Sequence, residues 1–352
     1  MPLLQSFTPE VNNPPIQKEG YLLFLDQNFG GFFEHKDKIP KEYLSYLVPK
    51  SDSPLMTDEL KVYIPFYRQM GHFMLETLSE VTKQIEIRSG WVGLNLVVQP
   101  KSKLDSTGDQ SLMGTGATVI DYFLDALEST GQVNLIKLKY QKTLGPLEIL
   151  LIPAKNIQIF DSIFFNVSDI KRVRKFCRSL PDIKPSTNKK IYLSRRSTQD
   201  RQIISIEDYL GVKDNPHIDF PGLAARIFFE DKVENFLRDT ADFEIICPEK
   251  EFTDFKHQIE TISQATVLAS STSSGLLNMF FMPEESSVVE LVTPLITNLG
   301  EDEVQTQTYH SQYSIVSHAL GFEYVGIPHN RYAPDLIDRI RNSMWYSFRG
   351  NV

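Results

Sequence analysis

The chain has 352 residues, 41% hydrophobic and 23% charged, enough for about two domains that each bury a core. Its 2 cysteines exclude a disulfide scaffold or a cysteine-rich zinc module, and a net charge of −9 sets it against phosphate polymers, so no nucleic acid is expected as a partner. Apolar runs stay far below the roughly 20 residues of a membrane span, and residues 1–10 show no basic segment followed by an apolar one. The expectation is a mildly acidic, intracellular protein of two domains.

The first 60 residues are rich in proline and turn residues, with aromatic islands at 21–25 and 30–33 that could pair as short strands. Residues 69–88 read as a helix, because Met74, Leu78, Val81 and Ile85 form one apolar stripe at 100° per residue. Residues 94–98 read as a strand, 101–118 as a polar, glycine-rich loop, 119–128 as a helix and 147–153 as a buried strand. A basic helix over 169–180 leads into 181–189, which has the composition of a linker.

Beyond that point strands and helices alternate. Residues 191–194, 243–247, 265–269, 288–291 and 324–327 are short β-branched or apolar runs, and Phe252, Phe255, Ile259 and Ile262 carry a helical spacing between two of them. Such alternation predicts a parallel sheet covered on both faces. Residues 333–348 form a last amphipathic helix. The expected domains are 1–165, 166–332 and a C-terminal helix, 333–352, that packs back on the first.

Several chemistries are absent. The chain has no Walker loop, no H-E-x-x-H and no G-x-S-x-G. Gly114-Thr115-Gly116 lacks the third glycine of a dinucleotide fingerprint, and no two aspartates are spaced D-x-D. That last absence counts against sugar transferases that hold the donor through a metal.

Four groups remain. Ser270-Ser271-Thr272-Ser273-Ser274-Gly275 follows a strand and opens a helical run, so its hydroxyls and backbone N–H groups could receive a diphosphate. Helix capping explains one or two such hydroxyls, but five in six positions is an excess. Arg195 and Arg196 follow the strand 191–194, where ligands collect in open parallel sheets; they read as a phosphate clamp or as a solvated pair. Glu290 ends the strand 288–291 and could accept ribose hydroxyls, cap a helix or pair with a lysine. His72 and Glu76 stand four apart on one helix, as a general base and its orienting carboxylate, or as a polar pair on an exposed face.

In order and spacing these segments resemble glycosyltransferase family 61. The resemblance runs through Gly71-His72-Phe73-Met74-Leu75-Glu76, Tyr192-Leu193-Ser194-Arg195-Arg196, Arg226-Ile227-Phe228-Phe229-Glu230-Asp231 and Cys247-Pro248-Glu249. It continues through Gly275-Leu276-Leu277-Asn278-Met279-Phe280-Phe281-Met282-Pro283 to Val288-Val289-Glu290-Leu291, over roughly 65–291. It implies an α/β, GT-B architecture: two Rossmann-like domains facing across a cleft, with a C-terminal helix crossing back. It also implies inverting, metal-independent transfer of a sugar from a nucleotide donor, UDP-linked here, to an oligosaccharide or lipid-linked glycan.

On that resemblance His72 and Glu76 are the catalytic pair. Arg195, Arg196, Arg226, Glu249, Ser271, Thr272, Ser273, Ser274, Gly275, Asn278 and Glu290 bind the donor, with no further cofactor and no metal. Two departures stand out: the family's His-Gly-Ala-Gly is Thr272-Ser273-Ser274-Gly275 here, and residues 204–225 are an insertion. The first motivates an alternative, a non-catalytic GT-B-like scaffold in a polysaccharide assembly, although a hydroxyl-rich replacement favours a rebuilt anion site. The implied setting is cytoplasmic synthesis of a surface glycan, with the basic helix 171–178 either touching a membrane surface or simply solvated.

Overall fold

The computed structural model describes residues 18–25, 28–33, 35–44, 61–64, 71, 73–87, 94–98, 116–137, 149–158, 166–195, 230–292, 295–296, 307–308, 312–328 and 333–347. The chain divides into two compact units, residues 1–173 and 174–352, each with its own sheet.

In the first unit, β1 (Lys18–Leu25) and β2 (Asn28–Phe33) form an antiparallel hairpin, so the two aromatic islands do pair. β3 (Lys61–Ile64), β4 (Leu94–Val98), β5 (Val133–Lys137) and β6 (Ile149–Gln158) complete a six-stranded sheet of order β2-β1-β6-β3-β4-β5. The last four run parallel to one another, while β1 meets β6 antiparallel. Read from β5, the parallel part follows the 3-2-1-4 order of a Rossmann half, with the reversal at β3 and β6.

The helix expected over 69–88 is of two kinds. Phe73–Leu78 is π-helical and only Ser79–Ile87, α1, is regular α-helix. At the changeover the Thr82 hydroxyl donates to the carbonyls of Leu78 and Ser79, a side-chain competition that disturbs helical register. The apolar stripe nonetheless points inward: Met74, Leu78 and Val81 are fully buried, and the Phe73 ring stacks on Phe123 at 5.7 Å. Phe123 belongs to α2 (Gly116–Ser129), whose start shows that the loop predicted to reach residue 118 is helical from Gly116.

The helix α3 (Val167–Arg178) contains the division between the units. In the second unit β7 (Lys189–Leu193), α4 (Glu230–Ala241), β8 (Glu244–Ile246), α5 (Pro248–Glu251), α6 (Phe255–Ile262) and β9 (Ala265–Ser271) follow in turn. After them come a 3₁₀ helix (Ser274–Phe281), β10 (Ser287–Val292), the small pair β11 (Leu295–Ile296) and β12 (Gln307–Thr308), α7 (Gln312–Ala319), β13 (Glu323–Pro328) and α8 (Ala333–Ser347).

The main sheet has the order β13-β10-β9-β7-β8 and is parallel throughout. Mixed α/β construction with a parallel sheet was legible in the alternation, and the structure shows it. Tyr192, Ala269, Val289 and Leu291 line one face, closed by Val233 and Leu237 of α4 and by Leu336 and Ile340 of α8. Leu336 and Ile340 of α8, the helix expected to return to the N-terminal domain, pack into the core of this second sheet. The opposite face carries the 3₁₀ helix, with α6 and α7 packed on it. Asn188, Asp242 and Glu285 take positive φ near 57–59°, each one or two residues ahead of a strand, which turns the chain back into the sheet.

Candidate functional site

Numbered from β7, the second sheet has the doubly-wound order 2-1-3-4-5, and its order reverses between β7 and β9. At such a reversal the connections leave toward opposite faces, so the carboxyl ends of the two strands open a crevice. β7 ends into Ser194 and Arg195; β9 ends into Thr272 and the 3₁₀ helix. The sequence-predicted phosphate clamp and hydroxyl-rich turn therefore begin on the two strands that flank the reversal.

Three buried carboxylates organise these ends. Glu230, at the start of α4, accepts hydrogen bonds from Tyr192 Oη at 2.7 Å and from the backbone N–H of Arg195 at 3.1 Å, both on Oε1. Four residues on, Glu234 accepts from Ser194 Oγ at 2.6 Å. Burial raises the Glu230 carboxyl from 4.5 to about 7, against the lowering effect of those two donors. Burial also pushes the Tyr192 phenol well above its ordinary value, with the Glu230 charge adding to the rise. Arg195, part-buried, places its charge near Glu230.

The hydroxyls of the turn split by role. Ser270 Oγ donates to the Leu193 carbonyl at 2.9 Å and so stitches β9 to β7. Thr272 Oγ1 donates to Glu290 Oε1 at 2.7 Å. Among the described residues, Ser271 Oγ and Ser273 Oγ are buried and meet no hydrogen-bond partner. Ser273 holds the N-cap position of the 3₁₀ helix in extended backbone, yet makes no side-chain cap bond. Capping therefore does not account for it, and an unmet buried hydroxyl costs about 1–3 kcal/mol until something pairs with it. Ser274 and Gly275 are half-buried at the start of that helix.

Asn278 and Glu290 are both fully engaged inside the protein. Asn278 Nδ2 donates to the Gly275 carbonyl at 2.7 Å, and its Oδ1 accepts from Gln258 at 2.6 Å, so it braces the turn from beneath. Glu290 is wholly buried and its second oxygen accepts from Tyr324 Oη at 2.8 Å. Of the remaining expected residues, His72, Arg196 and Arg226 lie outside the described residues, as does the insertion 204–225. Glu76 falls in the π-helical segment and Glu249 in α5, with side chains outside the described set. Gly71 and Phe73, on either side of His72, belong to the first helix after β3, which is the strand at the reversal of the first sheet.

In the sequence Tyr192 and Glu230 enter only as members of motifs, with no role of their own, and Glu234 and Tyr324 enter as no site residue at all. Nothing in the local spacing of Glu234 marks it as buried, and only the strand register reveals what Tyr324 reaches.

A model of the family described as Glycosyltransferase 61 matches residues 222–289. No curated protein matches the chain. The matched stretch runs through Glu230, α4, β8, α6, β9 and the hydroxyl-rich turn, ending one residue short of Glu290. Glu230 and the Ser271–Gly275 turn thus sit in the stretch of the chain that is similar to glycosyltransferase family 61, a family of sugar-transferring enzymes.

Proposed function

We propose that the protein is an inverting glycosyltransferase of GT-B architecture that takes a sugar from a UDP-linked donor without a metal ion. The second unit holds the nucleotide and the first the glycan acceptor. One observation supports the donor side: Arg195 and the hydroxyl-rich turn stem from the two strands at the sheet reversal, where two buried serine hydroxyls meet no partner among the described residues. Those hydroxyls, the first N–H groups of the 3₁₀ helix and the guanidinium of Arg195 suit a diphosphate. With Arg196 and Arg226 they stabilise the charge that grows on it as it leaves.

In the reaction an acceptor hydroxyl gives its proton to His72, oriented by Glu76. Its oxygen forms a bond to the anomeric carbon from the side opposite the donor oxygen. The bond from that carbon to the diphosphate breaks, and its electron pair departs on the phosphate oxygen, so configuration inverts. Assembly of a surface polysaccharide or glycoconjugate in the cytoplasm, from a lipid-linked or oligosaccharide acceptor, is the setting that fits a donor of this kind.

A thermal-shift screen against UDP, GDP, CMP and their common sugar conjugates, with and without divalent cation, tests the donor side. A ligand at 100 times its Kd stabilises by about 2.7 kcal/mol. The expected result is a selective shift for UDP that persists in chelator and is lost in Arg195→Ala. No shift with any nucleotide would falsify the donor assignment. On the acceptor side, His72→Ala is expected to lower turnover by at least about a hundredfold while leaving the UDP shift intact; unchanged turnover removes His72 from the chemistry.

A further inference from the structure

Glu290 stands where a donor-binding carboxylate is expected, yet both of its oxygens already accept from hydroxyls inside the protein, Thr272 on Oε1 and Tyr324 on Oε2. Strand register explains how it is enclosed. Leu193, Ser270, Glu290 and Gly326 lie in one row across β7, β9, β10 and β13 and therefore share a face of the sheet. The neighbours of Glu290 in that row are a serine and a glycine, which leave room for a carboxylate to lie flat along the sheet.

Tyr324, two residues before Gly326, points to the same face. A Cβ built on Gly326 would stand 3.0 Å from Tyr324 Oη and 3.1 Å from its Cε1, so the phenol fills the place a side chain would take. From there it donates to Glu290 Oε2. On the other side Thr272, the first residue past the β9–β10 pairing, donates its hydroxyl to Glu290 Oε1 and its N–H to the Leu291 carbonyl at 3.1 Å. The ladder is thereby extended by one residue, and the direction in which the turn leaves β9 is set.

We propose that Glu290, Tyr324 and Gly326 are positioning residues: they hold Thr272 so that Ser271, Ser273 and the following N–H groups face the donor, and Glu290 does not touch the donor itself. The inference rests on the glycosyltransferase reading above and deepens it. It also gives Thr272, which replaces the family's histidine, a defined task. Its hydroxyl donates to Glu290 at 2.7 Å, with the Leu291 carbonyl a longer second acceptor at 3.4 Å, so the turn recognises the donor through the hydroxyls on either side of it.

Titration calorimetry with UDP on the full chain, alongside unliganded melting curves, tests this. Tyr324→Phe and Thr272→Val are each expected to weaken UDP binding about tenfold, the size of one hydrogen bond to a charged group, with Thr272→Ser restoring wild-type affinity. Gly326→Ala displaces the phenol and should match Tyr324→Phe, and combining the two should add little. In a turnover assay the change should fall on the donor KM rather than on kcat. If Glu290 instead contacts the donor, Tyr324→Phe releases an oxygen for it, and binding stays level or tightens; that outcome overturns the inference. Lower melting temperatures with unchanged UDP affinity overturn it as well, leaving the three residues a purely structural part. Absence of UDP binding by the wild-type chain would instead sink the donor assignment on which the inference stands.

Discussion

Glu230 shows how a single buried group links fold and site. It takes the backbone N–H of Arg195 and the phenol of Tyr192 on one oxygen, so the exit of β7 depends on it. Its carboxyl titrates at about 7 in the folded protein against 4.5 ordinarily. As pH rises, the unfolded chain ionises first, so Glu230 favours folding most below pH 4.5. That contribution is lost as pH climbs from there through 7, a difference of about 3 kcal/mol. Glu230→Gln keeps an oxygen to accept both bonds and cannot ionise. The melting temperature of the wild-type chain should fall between pH 5 and pH 8 by more than that of the variant. Parallel curves for the two proteins would show that Glu230 does not titrate in this range.

Among the described elements, the 3₁₀ helix after β9 is held from several sides. Leu276 through Phe281 are all buried, and the Phe255 ring meets Phe281 edge-on at 5.7 Å. Its last carbonyls are met from α3: Arg174 donates to Met279 and Phe280, and Arg178 to Phe281. Burial lowers the Arg174 guanidinium to about 10, with the charge of Arg178 acting in the same direction. A helix that reads as a basic, solvated face therefore spends both of these arginines inside the protein. Arg174→Met should cost about 1–3 kcal/mol in urea unfolding, while the exposed Lys175→Met should stay within about 0.5 kcal/mol. Equal effects would mean that the carbonyls are not held by the guanidinium.

What was legible at this scale followed from local period. Strand 94–98 was read to the residue, and the helix 333–348 to within one. Backbone kind was not legible: the π-helical turn at Phe73–Leu78 and the 3₁₀ geometry of Ser274–Phe281 carry the same apolar spacing as an α-helix. The hydroxyl-rich turn and Arg195 were legible as candidate chemistry, and the structure sets them at the ends of β9 and β7. Its scaffolding was not, because Tyr324 meets Glu290 across 34 residues of chain and only through strand register.

The molecule as a whole distributes its chemistry unevenly. All the described candidate donor groups, from Arg195 to Glu290, belong to the unit 174–352, whose sheet has its own core. Residues 166–352 expressed alone should therefore fold and give the same UDP-induced thermal shift as the full chain. A folded fragment without the shift would place part of the donor site in the first unit. Among the described residues no helix is long and apolar enough to cross a membrane.

The chain's two cysteines make a contrasting pair. Cys177 is fully buried in α3, and burial pushes its thiol far up, which leaves almost no thiolate to react. Cys247 is half-buried directly after β8, and Ile246 before it accepts the N–H of Ser194. The wild-type chain thus comes ready for one-site labelling: an environment-sensitive fluorophore on Cys247 would follow directly on Ile246, whose carbonyl holds the N–H of Ser194, the residue before Arg195. Its emission would report nucleotide arrival in real time, with no engineered cysteine and no native one to remove.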